Sequence, residues 1–318
     1  MELRHLRYFV AVAEAGSVTL AAQRRLHTAQ PSLSRQLRGL EAEVGAQLLV
    51  RSVRGIELTA AGRAFLDHAR LALSQVEAAA SAARRAAQPE QRTLALGFLS
   101  GCEPEWLPAA MHVLREELPR IEVTISSKHS PQLAEGLAAG KLDAAFMRPE
   151  EGHPDLAHKV MITEPLIVVL PSDHRLASHD AIQPLDFVGE TFIGMADQAP
   201  VLRSLIEDYF RRSGIELRPA HRVEYLSMAM SLVASTRGLA LLPAFARNFL
   251  TRSVVSRPLA GETPSIDLVL GYHKANASPL LKDFLSRTDE LVARVSKQFA
   301  GSEGFAWADG PGGINQET

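Results

Sequence analysis

The stretch Gly16–Arg38, GSVTLAAQRRLHTAQPSLSRQLR, restricts the fold more than any other part of the chain. Ser17 can cap a first helix, because its hydroxyl can accept a free backbone N–H of the opening turn. That helix would turn Ala21, Ala22 and Leu26 inward. Thr28 is expected to cap a second helix, with Pro31 in its first turn, where a missing N–H costs nothing. Two short capped helices, joined by about three residues across a small Ala–Ala surface, make a helix-turn-helix.

The second helix has two faces. Leu33, Leu37, Leu40 and Val44 recur at spacings of four, three and four, which predicts a buried stripe. Gln30, Pro31, Ser34, Arg35 and Arg38 fall on the opposite side. Gln and Arg can each make paired hydrogen bonds to base edges in the major groove, and Ser can serve bases or phosphates. An ordinary amphipathic surface helix would divide the same way. The two caps and the surrounding pattern favour DNA.

Met1–Gly62 resembles the N-terminal domain of LysR-type transcriptional regulators. The resemblance rests on Leu3-Arg4-His5-Leu6-Arg7-Tyr8-Phe9, Ser17, Ala21-Ala22, Gln30-Pro31-Ser32-Leu33-Ser34, Leu40-Glu41, Gly45, Leu48-Leu49 and Leu58-Thr59-Ala60-Ala61-Gly62. It implies a DNA-facing set of Ser17, Thr28, Gln30, Pro31, Ser32, Ser34, Arg35 and Arg38, with Arg51 and Arg54 beside it. Those two arginines lie in Gln47–Thr59, which reads as a short hairpin with Gly55 near its turn. A winged helix-turn-helix would set them on phosphates or in a minor groove, the alternative being two solvated surface arginines.

Charge is distributed to suit this reading. Residues 1–88 hold 12 Arg, no Lys and 7 acidic residues, a net of +5, whereas the whole chain carries −2. A small basic unit on an acidic body binds polyanions at one end only. The length of 318 residues implies two or three domains, and the 46% hydrophobic and 22% charged content is that of a soluble globular protein. Cys102 is the single cysteine, so an intrachain disulfide is excluded. With no apolar run near the ~20 residues that span a bilayer, and charges breaking up the N-terminus, the expected location is the cytoplasm.

Thr59 can cap a long helix running to about Gln88, with Phe65, Leu66, Ala69, Leu73, Val76, Ala80 and Ala83 in one stripe. A small domain cannot bury that stripe alone. It fits a helix pair between two chains, the competing reading being a helix packed on its own chain. The family resemblance implies the same: a linker helix through which such regulators dimerise.

From Arg92 onward, strands alternate with helices, which predicts a parallel sheet covered on both faces. The strands are Thr93–Leu99, Ile121–Ser126, Leu142–Met147, Leu166–Pro171, Thr191–Gly194, His221–Glu224, Leu239–Pro243 and Ile266–Tyr272. The helices are Glu105–Leu118, Gln132–Ala139, Val201–Arg212, Met228–Ser235 and Pro279–Phe299. Two lobes result, with crossovers near 162–166 and 264–268. The expected fold is therefore α/β: an N-terminal winged helix-turn-helix over 1–58, a linker and dimerisation helix over 59–89, and a two-lobed domain over 90–300. Lobe I comprises 90–163 and 267–300, and lobe II 164–266. The glycine-rich tail 301–318 is expected to be disordered.

Ligands collect at the carboxyl ends of strands in open α/β sheets, where helix N-termini point. Ser100 and Gly101 precede one helix, Ser130-Pro131 opens another as a cap, and Arg148 ends a strand. Together they would favour a carboxylate or phosphate. Ser130 as a mere cap and Arg148 as a surface ion pair are the plain alternatives. This half resembles the effector domain of the same family, itself similar to periplasmic solute-binding proteins. That resemblance implies contacts at Ser100, Gly101, Cys102, Ser130 and Arg148, with Met195 and Ser227 from the other lobe. Phe146 and Met195 are apolar candidates for an aromatic ring.

One departure from the family is Thr236-Arg237-Gly238, where a Gly-x-Gly is common. The segments Arg4–Ala13 and Leu142–Arg148 resemble regulators of benzoate, catechol or phenylpropionate breakdown. No His-x-x-x-His, Cys-x-x-Cys or phosphate-loop pattern exists, and Asp173, His174, His179 and Asp180 read as a solvated turn rather than a zinc site. No metal, cofactor or catalysis is expected. The expected partners are promoter or operator DNA, a small anionic effector, further copies of the chain in a dimer of dimers, and RNA polymerase, with no membrane. A ligand-binding protein without a DNA role is the alternative, and the basic N-terminal unit argues against it.

Overall fold

Leu3, Leu6, Phe9, Val10 and Ala13 recur at helical spacing, which predicts a helix over 3–15 with these residues facing the core, and Leu3–Ala15 forms α1. In the computed structural model, which describes residues 1–26, 28–52, 55–87 and 92–299, the chain divides into two units after Ala87. Helix α1 buries Leu6, Phe9, Ala11 and Val12. Leu3, expected to face the core, sits at the helix start and stays 42% exposed. Phe9 meets Phe65 edge-on at 5.1 Å.

Ser17 caps α2 (Val18–Leu20), its hydroxyl accepting the Leu20 N–H at 3.4 Å. The helix then widens into a π turn over Ala21–Arg25, with Ala21 and Ala22 buried. Helix α3 spans Gln30–Val44 with Pro31 in its first turn. Its N-cap is Ala29, not Thr28 as expected. The Thr28 N–H donates to the Ala22 carbonyl at 3.1 Å, so Thr28 belongs to the end of the preceding helix, and the extended residue that opens α3 is Ala29, one position later. Leu33, Leu37 and Leu40 are buried, whereas Val44, in the last turn, runs past the core and is exposed.

Strands β1 (Leu49–Ser52) and β2 (Gly55–Leu58) form an antiparallel wing, pairing Leu49 with Leu58 and Ser52 with Gly55. Glu41 holds its base, since Oε1 accepts the N–H groups of Leu48 and Leu49 at 2.8 and 3.0 Å. Gly55 has φ +123°, and a Cβ there would come within 2.5 Å of the Gly16 carbonyl oxygen. That carbonyl accepts the Ile56 N–H at 2.8 Å, so the wing is tied to the end of α1. Thr59 caps α4 (Ala60–Ala87), its hydroxyl accepting the Gly62 N–H at 2.9 Å. Leu66 and Ala69 of α4 are buried in this unit, but Val76, Ala80 and Ala83 are exposed.

The second unit begins with β3 (Arg92–Leu99), α5 (Glu103–Val113), β4 (Ile121–Lys128), α6 (Ser130–Ala138) and β5 (Ala144–Met147). The long β6 (Leu156–Pro171) leads to β7 (Phe192–Met195), α7 (Pro200–Arg212), β8 (His221–Val223), α8 (Leu226–Thr236) and β9 (Leu239–Pro243). The chain returns through β10 (Val254–Pro258) and β11 (Ser265–His273) to α9 (Pro279–Ser286) and α10 (Thr288–Phe299). Strand order is β4-β3-β5-β11-β6-β9-β7-β8, with β10 also pairing β6.

The expected parallel sheet is in fact mixed. β3 runs parallel to β4 and β5, and β7 to β8 and β9, but β5–β11, β6–β11, β6–β9 and β6–β10 are antiparallel. The reason is topological: the chain leaves lobe I along β6 and returns along β11, so the two crossing strands run in opposite directions and pair. Lobe I buries Phe98, Trp106 and Phe146 on one sheet face and Leu133 and Leu137 on the other. Lobe II packs Phe187, Phe192 and Phe210 edge to face at 4.9–5.9 Å. Each such side chain contributes about 1.5–3 kcal/mol by burial.

The single helix expected over Pro279–Phe299 is two, because buried Thr288 turns its hydroxyl back to the Leu285 carbonyl at 2.9 Å. Residues 301–318, expected to be disordered, lie outside the described residues, as does Arg54. Among the described residues no helix is long and apolar enough to cross a membrane.

Candidate DNA interface and ligand cleft

Helix α3 presents Pro31, Ser32, Arg35 and Arg38 to solvent, with Gln30 and Ser34 half-buried. Gln30 Nε2 donates to Ser34 Oγ at 3.2 Å, and Arg38 Nε to the Ser34 carbonyl at 3.3 Å. These bonds hold Gln30 and Arg38 along one side of the helix, and among the described residues the Gln30 side-chain carbonyl and the Arg35 guanidinium have no partner. Ser17 and Thr28 are half-buried and serve the helix ends. Arg51 lies on β1 of the wing.

In the second unit, the ends of β3 and β5 and the starts of α6 and α8 converge on a cleft between the lobes, with about 490 Å³ of empty space counting its open mouth. Ser100, His129, Ser130, Arg148 and Glu150 line it from lobe I, and Met195, Gln198, Glu224, Leu226 and Phe245 from lobe II. Arg148 is 4% exposed. Its Nη2 donates to Glu164 Oε1 at 2.7 Å, and its guanidinium lies 5.8 Å from the Phe245 ring centre. Glu164 Oε2 accepts the Phe245 N–H at 2.9 Å, so this carboxylate, on the crossing strand β6, grips both lobes. Arg148 Nη1 is buried and has no partner among the described residues. Leaving such a donor unmade costs about 1–3 kcal/mol, more when it is charged.

Several expectations are corrected here. Ser130 is not a cap: His129 occupies the N-cap, and Ser130 Oγ accepts the Arg148 N–H at 2.9 Å. Arg148 is a buried ion pair rather than a surface one. The N–H groups near Ser100 are already bonded: Ser100 to the Lys128 carbonyl, Gly101 to Glu103 Oε2, and Cys102 to the Leu99 carbonyl. Cys102 and Phe146 do not line the cleft. They belong to the lobe I core, where Phe146 stacks on Phe98 at 5.1 Å and burial pushes the Cys102 thiol well up. Ser227 faces solvent in the first turn of α8. Gly101 stands beside the lobe II wall, where a Cβ would lie 3.5 Å from Leu226 Cδ1. Ser100 shares a hydrogen bond with Ser127 at 3.0 Å.

Sequence reasoning missed three groups. His129 is 7% exposed, stacks on Tyr225 across the cleft at 4.8 Å, and has a buried Nε2 without a partner. Burial pushes the Glu150 carboxyl up to about 7, and its Oε1 is likewise buried and unpartnered. Burial first, then the nearby Glu164 carboxylate, pushes Glu105 up to about 7, while Asn248 Nδ2 of lobe II donates to its Oε1. Arg237, at the departure from the family pattern, has the left-handed φ of 57° and pairs with Asp173 at 2.7 Å. Among the described residues no group of three or more His, Cys, Asp or Glu could hold a metal ion.

A winged helix-turn-helix on one unit and a two-lobed cleft on the other define a ligand-responsive DNA-binding regulator. The model of bacterial regulatory helix-turn-helix proteins of the lysR family matches residues 3–63, and that of the LysR substrate binding domain matches residues 87–292. The chain belongs to the LysR family of transcriptional regulators. It is 38% identical to the Hca operon transcriptional activator HcaR of Escherichia coli (strain K12), over 93% of this chain and 100% of that protein. It is 33% identical to the HTH-type transcriptional regulator BenM of Acinetobacter baylyi, over 77% of this chain and 81% of that protein. The solved structure of full-length CbnR complexed with its target DNA superposes with a TM-score of 0.54 at 28% identity, covering 92% of this chain and 100% of that one. These relatives are transcriptional regulators.

Proposed function

We propose that this regulator reads DNA through Gln30, Ser34, Arg35 and Arg38, with Arg51 and Arg54 on the flanking backbone, and responds to an aromatic or ring-cleavage carboxylate held between its lobes. The observation that carries the ligand reading is Arg148: one arm of a buried guanidinium is paired with Glu164, and the other is without a partner beside an open cleft. A carboxylate there gains a charge-assisted hydrogen bond. Ser100 and Ser130 flank it, and Met195 and Phe245 offer apolar surface to a ring. The sequence resemblance to regulators of aromatic-acid breakdown supports control of catabolic genes, and the exposed outer half of the α4 stripe supports pairing of linker helices in a dimer of dimers.

The domain scheme is 1–58, 59–89 and 90–300. The regulator works in the cytoplasm and is not an enzyme. A ligand shifts the lobes only as far as it binds one arrangement more tightly. Arg148→Lys keeps a charge beside Glu164 but loses the free arm. Calorimetry against benzoate, phenylpropionate and muconate should show at least tenfold weaker binding of whichever acid the wild type takes up, with ligand-free DNA affinity unchanged in gel shifts. Equal ligand affinity in the two proteins would refute the anion site.

A further inference from the structure

Three residues of the cleft each carry a buried polar atom without a partner among the described residues: Arg148 Nη1, His129 Nε2 and Glu150 Oε1. Arg148 and His129 are themselves more than nine-tenths buried. Their chemistry is not uniform. Arg148 offers N–H donors, and His129 Nε2, a donor in its Nε2–H tautomer, lies at the same end, because the Arg148 backbone is bonded to Ser130, the neighbour of His129. Glu150 offers an acceptor. Arg148 and Glu150 are two residues apart with Pro149 between them, and the residue before a proline is held extended. In an extended chain such positions lie roughly 6–7 Å apart on one face.

Charge narrows the ligand further. The Arg148 guanidinium is already balanced by Glu164 at 2.7 Å. The remaining ionisable carboxylates on the lining are Glu150 and Glu224, the latter accepting from Gln198 Nε2 at 3.1 Å. A ligand with a single carboxylate can face the donors. A second carboxylate would meet Glu150 or Glu224, and like charges at short range repel.

Building on the cleft reading above, we infer that the effector is an aromatic monocarboxylate bearing a hydroxyl: its carboxylate takes the N–H groups of Arg148 and His129, and its hydroxyl donates to Glu150 Oε1. The preference for a hydroxyl resides in Glu150 alone, and the cleft discriminates against dicarboxylates of the same shape. The raised Glu150 carboxyl accords with an acceptor kept from water, and at pH 8 it is ionised.

The test uses the full chain at pH 8 with three acids of one shape: benzoate, 3-hydroxybenzoate and isophthalate. Calorimetry of the wild type should rank 3-hydroxybenzoate about tenfold or more above benzoate, the gain expected for a hydrogen bond to a charged acceptor. Isophthalate should bind more weakly than benzoate. Glu150→Ala should bring 3-hydroxybenzoate to within about twofold of benzoate and strengthen isophthalate. A hydroxyl preference that survives in Glu150→Ala overturns this inference alone, and so does isophthalate ranking first in the wild type. Undiminished binding of all three acids to Arg148→Lys overturns the cleft reading beneath it. Failure of all three to bind the wild type at millimolar concentration while phenylpropionate or muconate binds overturns this inference alone, and failure of all five acids overturns both.

Discussion

Glu105→Gln should make the two-lobed unit more stable at high pH and leave it unchanged at low pH. Glu105 is 7% exposed, and its carboxyl is raised from 4.5 to about 7 by burial and by Glu164. Between those pH values the folded chain holds a proton that the unfolded chain has released. Stability contributed by this group therefore falls as pH rises from about 4.5, and the loss is complete above about pH 7. At 1.36 kcal/mol per pKa unit the whole shift amounts to about 3 kcal/mol. Screening by solvent near this incompletely enclosed carboxyl leaves about 1–2 kcal/mol. Gln preserves the acceptor for Asn248 and carries no charge to desolvate. Urea titrations of both proteins in a Trp307→Phe background, followed by Trp106 fluorescence, should give midpoints that coincide at pH 5 and separate progressively to pH 8.5, with the variant the more stable. A difference independent of pH would refute the reasoning, because only a titrating carboxylate makes the gap open across that window.

Two further outcomes concern the first unit. Arg35→Ala should weaken binding to a cognate site by about 1–3 kcal/mol while leaving scrambled DNA almost unaffected; an unchanged ratio in gel-shift titrations would remove its base-reading role. Val76→Glu should fold normally, since Val76 is already 36% exposed in one chain, but should split the α4 pair by placing a charge in its seam. Sedimentation at the wild-type mass would refute the seam.

The fold was legible where local signals are strong. Helix α1 and strand β9 start and end where their apolar patterns do, and Ser17 and Thr59 cap the helices they were expected to cap. The first ten residues of β6 were missed because Ala157–Val160 mixes exposed polar and apolar positions, and its order comes from pairing with β11 more than a hundred residues later. β10 contains Ser, Arg and Pro and is half-buried, so it lacks an apolar run. Strand direction depends on the crossover path, which periodicity does not encode. In the cleft, Arg148 could be picked out as a cation at a strand end. Its partner Glu164 comes from the crossing strand β6, and Glu150 and His129 are marked only by what their surroundings leave unpaired.

The antiparallel crossing of β6 and β11 has an architectural consequence. Thr163 and Asp267 are directly opposite in the ladder, joined also by a side-chain hydrogen bond of 2.5 Å. Lobe II is thus spliced into lobe I through two points one strand spacing apart. A short turn linking Thr163 to Asp267 could excise the whole insert while preserving β3 beside β4 and β5, and β11 between β5 and β6. Lobe I is in that sense a complete host, and lobe II a cassette whose replacement could alter one wall of the cleft without rebuilding the other.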